Sequence, residues 1–290
     1  MPKAWIAVCV LLVPGALLAD SKASRSAYRT YASSGWNVLE SENFRFCSRG
    51  RLSISNHVVE ATEALRNDLA EHWLATGSAS WQPKCDVILH ATSEAYTQAV
   101  PGGGQTVGCS VINTNEGRIT GRRIDIRADK PGWFSAALGH ELTHIVLADM
   151  FPDGRLPAWA DEGMAVLADT SGKQDAHFRD LRSAQSKRQT FRLVELFALD
   201  GYPSPDRQAA FYGQSASLVQ FLVTRGTPDQ FVRFVRTAGN DGYETAARDV
   251  YGFQGVRDLE HRWLQQVDTT GALARDQRRA VAGTPKKPQG

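Results

Sequence analysis

Cysteine is scarce in this 290-residue chain: there are four, and Cys9 lies in an N-terminal segment expected to be removed, leaving Cys47, Cys85 and Cys109. No two stand at CxxC or CxxH spacing, which disfavours a structural zinc site made from cysteines. In an oxidising compartment one disulfide with one leftover thiol is possible, between any two of the three. Net charge is also small. The 33 basic and 31 acidic residues leave +2, and the Arg122-Arg123 and Arg278-Arg279 pairs are scattered, so nucleic acid is not an expected partner. Past the N-terminus no apolar run approaches the ~18 residues of a membrane helix, so no stable membrane insertion is expected after signal cleavage. The stretch Pro101-Gly102-Gly103-Gly104 lacks the Gly-Lys-Ser/Thr ending of a phosphate loop and the strand-to-helix context of a dinucleotide site, and reads as a flexible loop. There is no internal repeat, and nothing indicates an oligomeric state.

The apolar run that does exist is N-terminal. Lys3, then Ala4 to Val13, then the small-residue end Gly15-Ala16-Leu17-Leu18-Ala19 read as a signal peptide over residues 1–19, cleaved near Ala19, which implies a secreted or periplasmic protein. No cysteine follows the cleavage point, which argues against a lipoprotein anchor. Residues 20–35, rich in Ser, Ala, Arg and Lys, read as a flexible leader, and residues 268–290 as a disordered tail.

The most informative segment is His140-Glu141-Leu142-Thr143-His144. At i and i+4 the two imidazoles share a helix face and reach one metal ion, with Glu141 about 100° around the axis, near the metal's open position. This is the HExxH arrangement of zinc hydrolases; by composition roughly 0.01 such pentapeptides are expected in a chain of this length. A catalytic zinc takes three protein ligands and one exchangeable water. Glu162, in Leu156-Pro157-Ala158-Trp159-Ala160-Asp161-Glu162-Gly163-Met164-Ala165, is the candidate third donor. Leu138, Leu142, Ile145 and Val146 form a helical stripe within Phe134 to Met150, Phe151-Pro152-Asp153-Gly154 reads as a stop, and Pro157 suits the start of a second helix to about Asp169. Two helices so joined pack side by side, bringing Glu162 to face the histidines.

Elsewhere a βα pattern begins at Trp36, with strands at Asn43 to Cys47 and Cys85 to His90 around a helix from Ser55 to Thr76. Val58, Val59, Leu65, Leu69 and Trp73 mark that helix's core face, so His57 and His72 read as surface or packing residues. Thr106 to Ile112 and Arg118 to Arg127 flank a hairpin signal at Asn113 to Gly117. Beyond Asp169 the chain turns helical: Thr227-Pro228-Asp229 caps a helix with Phe231, Val232, Phe234 and Val235, and Arg257 to Val267 carries Leu259, Trp263 and Leu264. Lys173 to His177 reads as loop. The expected class is α+β: an N-terminal mixed β-sheet with helices and a metal-binding subdomain (36–174), then a helical C-terminal subdomain (175–267) closing one side of the cleft.

HELTH, a 17-residue spacer (145–161) and a glutamate in a Trp-x-x-Glu-Gly-x-Ala context resemble the gluzincin branch of the zincin metallopeptidases, most closely secreted bacterial peptidase-MA-like proteins. Phe211-Tyr212-Gly213-Gln214-Ser215-Ala216-Ser217-Leu218 resembles a downstream helix of those proteins, so the likeness covers roughly residues 36–267. It implies a zincin-like fold with an HExxH active-site helix, one Zn2+ held by His140, His144 and Glu162, Glu141 as general base, and peptide or protein substrates. It also implies a Tyr or His donor to the oxyanion from the downstream half, for which Tyr212 is the first choice and His177 a poorer one. The strand 118–127, leading into the metal helix, would be the edge on which an extended peptide lies. The chain departs from the pattern in two places. No GxMEN-type signature precedes HELTH, so aminopeptidase activity is not implied. Val166 stands where thermolysin-like proteins have an aspartate orienting a ligand histidine, leaving Asp161 and Asp169 as candidate partners. The reading is a secreted zinc metallopeptidase, with a zinc amidase or acyl hydrolase of cell-wall peptides and a non-catalytic peptidase-like binding module as alternatives; the intact Glu141 argues against the last.

Overall fold

A computed structural model describes residues 28–74, 79–130, 132–152, 154 and 156–267. The segment expected to be a signal peptide, the first half of the leader, and the C-terminal tail lie outside the described residues.

Six strands form one mixed sheet in the order β1-β2-β3-β4-β6-β5: β1 (Arg29–Ser33), β2 (Trp36–Glu40), β3 (Phe44–Ser48), β4 (Cys85–His90), β5 (Gly108–Asn115) and β6 (Arg118–Arg127). The pairs β1/β2, β2/β3 and β5/β6 are antiparallel, while β3/β4 and β4/β6 are parallel. Parallel neighbours need a crossover, and helix α1 (Asn56–Leu74) supplies it between β3 and β4. Alternation decides the faces. Phe44, Phe46, Cys85, Val87, Leu89, Ile124 and Ile126 are buried on one face, beneath the helices. Arg45 and Asp86, ion-paired at 2.6 Å, lie on the other, as do Arg123 and Asp125, ion-paired at 2.7 Å.

After the short α2 (Ser93–Ala99) and the β5–β6 hairpin come a π-helical turn, Phe134–Leu138, and α3 (Gly139–Met150). Leu138, Leu142 and Ile145 are fully buried and Val146 nearly so, as the stripe predicts. The rest is helical: α4 (Ala158–Leu167), α5 (Ser171–Ser186), α6 (Leu193–Phe197), α7 (Pro205–Arg225), α8 (Pro228–Asp241), α9 (Tyr243–Tyr251) and α10 (256–267). The Thr227 hydroxyl accepts from Gln230 N and caps α8, as expected from its sequence. No helix among the described residues is long and apolar enough to cross a membrane.

Several expectations are corrected. Residues 29–33, expected within a flexible leader, are a strand: β1 pairs with β2 from Arg29↔Glu40 to Ser33↔Trp36. Lys173 to His177 is part of α5 rather than loop, held from within by Gln174, whose amide donates to the Leu167 and Asp169 carbonyls. The edge strand beside α3 is β5, because β6 is enclosed between β4 and β5. Gly103–Gln105, in and after the expected flexible loop, is a 3-10 turn. Leu264 stays 36% exposed while Leu259 and Trp263 fill the core face of α10.

All three described cysteines are free thiols, and strand register explains why. Cys47 is opposite Ile88, Ile88 opposite Asp125, and Asp125 opposite Cys109. Cys47 and Cys109 are therefore three strand spacings apart, about 14 Å, twice the reach of a disulfide. Cys85 pairs with Phe44, three residues from Cys47 and on the opposite face of the sheet.

Candidate metal centre

Helices α3 and α4 place the three candidate ligands. On α3, His140 and His144 are one turn apart, with ring centroids 5.0 Å from each other. Helix α4 returns alongside, its N-terminal cap at Pro157, and presents Glu162 from its middle turn. One ligand atom from each of His140, His144 and Glu162 lies within 4.8 Å of the other two. Glu162 Oε2 is 3.4 Å from His140 Nε2 and 3.9 Å from His144 Nε2.

The group suits a divalent cation. Tetrahedral bonds of about 2.0–2.1 Å need donor atoms roughly 3.3 Å apart, close to these separations. Glu162 Oε2 is buried and makes no hydrogen bond, a cost that a cation would remove. Two nitrogens and one carboxylate oxygen are the donors zinc prefers.

Each histidine is oriented by its own carboxylate. His144 Nδ1 lies 2.8 Å from Asp161 Oδ1, and His140 Nδ1 lies 3.2 Å from Asp169 Oδ2, which turns both Nε2 atoms toward Glu162. The pair takes the place left open by Val166. Asp169 is itself fixed by Lys173, whose ammonium donates to it at 2.6 Å and to the Ala136 carbonyl at 2.9 Å. Electrostatics follow from this packing. Burial opposes charging the His140 ring, but Asp169 and Glu162 outweigh it and push the ring up to about 10; His144 is likewise pushed up to about 9, chiefly by Asp161. Glu162 and Asp169 are held below the usual carboxylate range, since the histidines more than offset burial.

Glu141 lies against the β5 edge of the sheet. A Cβ on Gly108 of β5 would lie 2.8 Å from Glu141 Cγ and Oε1, so only glycine lets the strand pass this close. Ser110, two residues on, hydrogen-bonds the carboxylate, yet burial dominates and holds Glu141 above the usual range. Tyr212, on α7, is half-buried with its ring centroid 5.7 Å from that of His177; burial and the Glu162 and Glu141 carboxylates raise its phenol. His57 and His72 stay on α1, outside the group.

One contact is not signalled by any sequence pattern. Tyr202, in the segment between α6 and α7, donates its hydroxyl to Glu162 Oε1 at 2.6 Å. It belongs to no periodic stripe.

No curated protein matches the chain. A family model described as the Peptidase MA superfamily matches residues 68–269, from α1 through the metal-binding helices to the end of α10, and the chain therefore belongs to the peptidase MA superfamily.

Proposed function

We propose that this protein is a secreted zinc-dependent metallopeptidase of the zincin type that cleaves peptide or protein substrates internally. The observation that carries the reading is the convergence of His140, His144 and Glu162, beside the buried Glu141, which is free of the ligand set. Superfamily membership supports a peptidase.

A zinc ion held by these three residues supplies Lewis acidity, lowering the pKa of a water toward neutrality and polarising a carbonyl. The chain's own residues do the rest. Glu141 takes the proton of the attacking water and returns it to the leaving amine nitrogen, and burial raises its affinity for that proton. Tyr212, whose phenol stays protonated, donates to the oxygen on which negative charge develops. Asp161 and Asp169 keep the histidine rings in one tautomer and orientation. The outer edge of β5, which pairs with no further strand among the described residues, supplies main-chain donors and acceptors for an extended peptide. Residues 1–19 fit a signal peptide that would deliver the enzyme to the periplasm or beyond.

Digestion of a peptide library, with and without a chelator and in parallel with Glu141→Gln, tests the proposal. Internal cleavage that the chelator abolishes and Glu141→Gln lacks is expected. Absence of cleavage in the metal-loaded protein, or cleavage restricted to cell-wall peptides, refutes it.

A further inference from the structure

The two carboxylates that orient the histidines are housed differently. The Asp161 side chain is 29% exposed, whereas that of Asp169 is 1% exposed. A carboxylate so enclosed is costly unless it is paired. Its contacts are His140 Nδ1 at 3.2 Å and the Lys173 ammonium at 2.6 Å. A histidine that ligates a metal is neutral. With metal bound, Lys173 is therefore the cation in contact with Asp169 among the described residues.

The position of Lys173 runs against its own helix. It is the third residue of α5, whose first turn carries no acidic residue. Unpaired amide groups make that end of a helix partly positive, so a cation there is disfavoured, and the ion pair with Asp169 offsets this. The same ammonium donates to the Ala136 carbonyl at 2.9 Å, in the π-helical turn that runs into α3. Ala136 stands one helical turn ahead of His140. Backbone packing brings the two ends of this bridge together. A Cβ on Gly139 would lie 2.9 Å from the Ala168 carbonyl oxygen, so the residue before His140 abuts the residue before Asp169.

We propose that Lys173 is a positioning residue of the metal centre: by tying Asp169 to the turn ahead of α3, it holds the His140 ring with Nε2 toward Glu162. The inference rests on the metal site of the metallopeptidase reading. Direct electrostatics act with the opposite sign. An ammonium repels a dication, so a lysine that acted on the metal through its charge alone would weaken binding, and its removal would tighten it. Removing a positioning lysine loosens binding instead.

Zinc affinity of the purified protein, measured by competition with a chromophoric chelator, tests this. Lys173 is 37% exposed, so replacing it disturbs no packed core. Lys173→Met should lower affinity by about tenfold, the low end for residues that orient a metal ligand from outside. Lys173→Arg keeps the charge and the donors and should recover most of that loss. Asp169→Asn should also bind zinc more weakly, and adding Lys173→Met to it should cause no further loss, because the lysine acts through Asp169. A general loosening of α5 would instead multiply the two losses. Affinity in Lys173→Met equal to or tighter than wild type overturns the assignment, and so does a Lys173→Arg protein as weak as Lys173→Met, or a double variant in which the losses multiply. A wild type that takes up no zinc overturns the centre itself, and the role of Lys173 with it. Affinity is read without substrate, so a failure of peptide cleavage does not enter the result.

Discussion

The Tyr202 hydroxyl donates to Glu162 Oε1 at 2.6 Å, leaving Oε2 as the carboxylate oxygen that faces both histidines. A side chain that is 55% exposed thus orients one that is 3% exposed. Tyr202→Phe keeps the ring and its edge contact with Phe211 but strands Oε1. Metal affinity should fall about 10- to 100-fold, the usual effect of losing an outer partner of a ligand. Titration against a competing chromophoric chelator measures it, and an affinity equal to wild type would remove Tyr202 from the centre.

The proposed division of labour between ligands and base is separable by metal analysis. His140→Ala, His144→Ala and Glu162→Ala should each abolish stoichiometric zinc, since two donors remain where three are needed. Glu141→Gln should retain zinc and lose hydrolysis. Full zinc content in purified His140→Ala would contradict the ligand set.

Tyr212→Phe should reduce turnover more than about tenfold with zinc retained, because one oxyanion donor is typically worth that or more. Wild-type turnover on a verified substrate would take the role away from Tyr212.

Much of the site was legible because it is local. Two histidines at i and i+4 and a buried stripe at Leu138, Leu142 and Ile145 are properties of one helix, and the alternation of Ile124 and Ile126 with Asp125 is a property of one strand. The illegible parts are those whose reason lies in another element. Only the middle residue of β1, Tyr31, is even half-buried, so this edge strand shows no apolar alternation. Helix α5 buries only Leu181 and Ala184, and its polar first turns look like loop until Lys173 and Gln174 are seen bonding to the end of α4 and the π-helical turn. Tyr202 is set by the loop path before α7, for which no residue pattern stands.

On the sheet's outer face, Asp125 is almost fully buried and accepts from Arg123 at 2.7 Å, with His90 Nε2 also at 2.7 Å. Burial raises its pKa, but these partners prevail and hold it below the ordinary value. A carboxylate depressed in the folded state contributes stability that is fully present above its unfolded pKa of about 3.9 and is lost as pH falls through the folded value. The wild-type Tm should therefore drop more steeply than that of Asp125→Asn on acidification below about pH 4. At pH 7 the variant should be less stable by about 1–3 kcal/mol, having weakened a buried charged network. Parallel acid-side Tm profiles for the two proteins would refute the assignment.

Gly163, directly after Glu162, is where α4 touches α7. A Cβ there would stand 2.5 Å from Val219 Cγ2 and 2.7 Å from the Ser215 carbonyl oxygen. Val219 can change rotamer, but the Ser215 oxygen is backbone, so α4 and α7 must move apart. Forcing a methyl into such a contact costs about 1–3 kcal/mol. The displacement would also carry Glu162 away from His140 and His144, whose 3.4 and 3.9 Å approaches to Oε2 leave little slack for one ion. Gly163→Ala should accordingly lower both Tm and metal affinity. Gly172→Ala, at the start of α5 with nothing within 4 Å of the added carbon, serves as the control and should be neutral or more stable by up to about 1 kcal/mol. A Gly163→Ala protein with wild-type Tm and zinc affinity would show that the α4–α7 contact does not hold Glu162 in place.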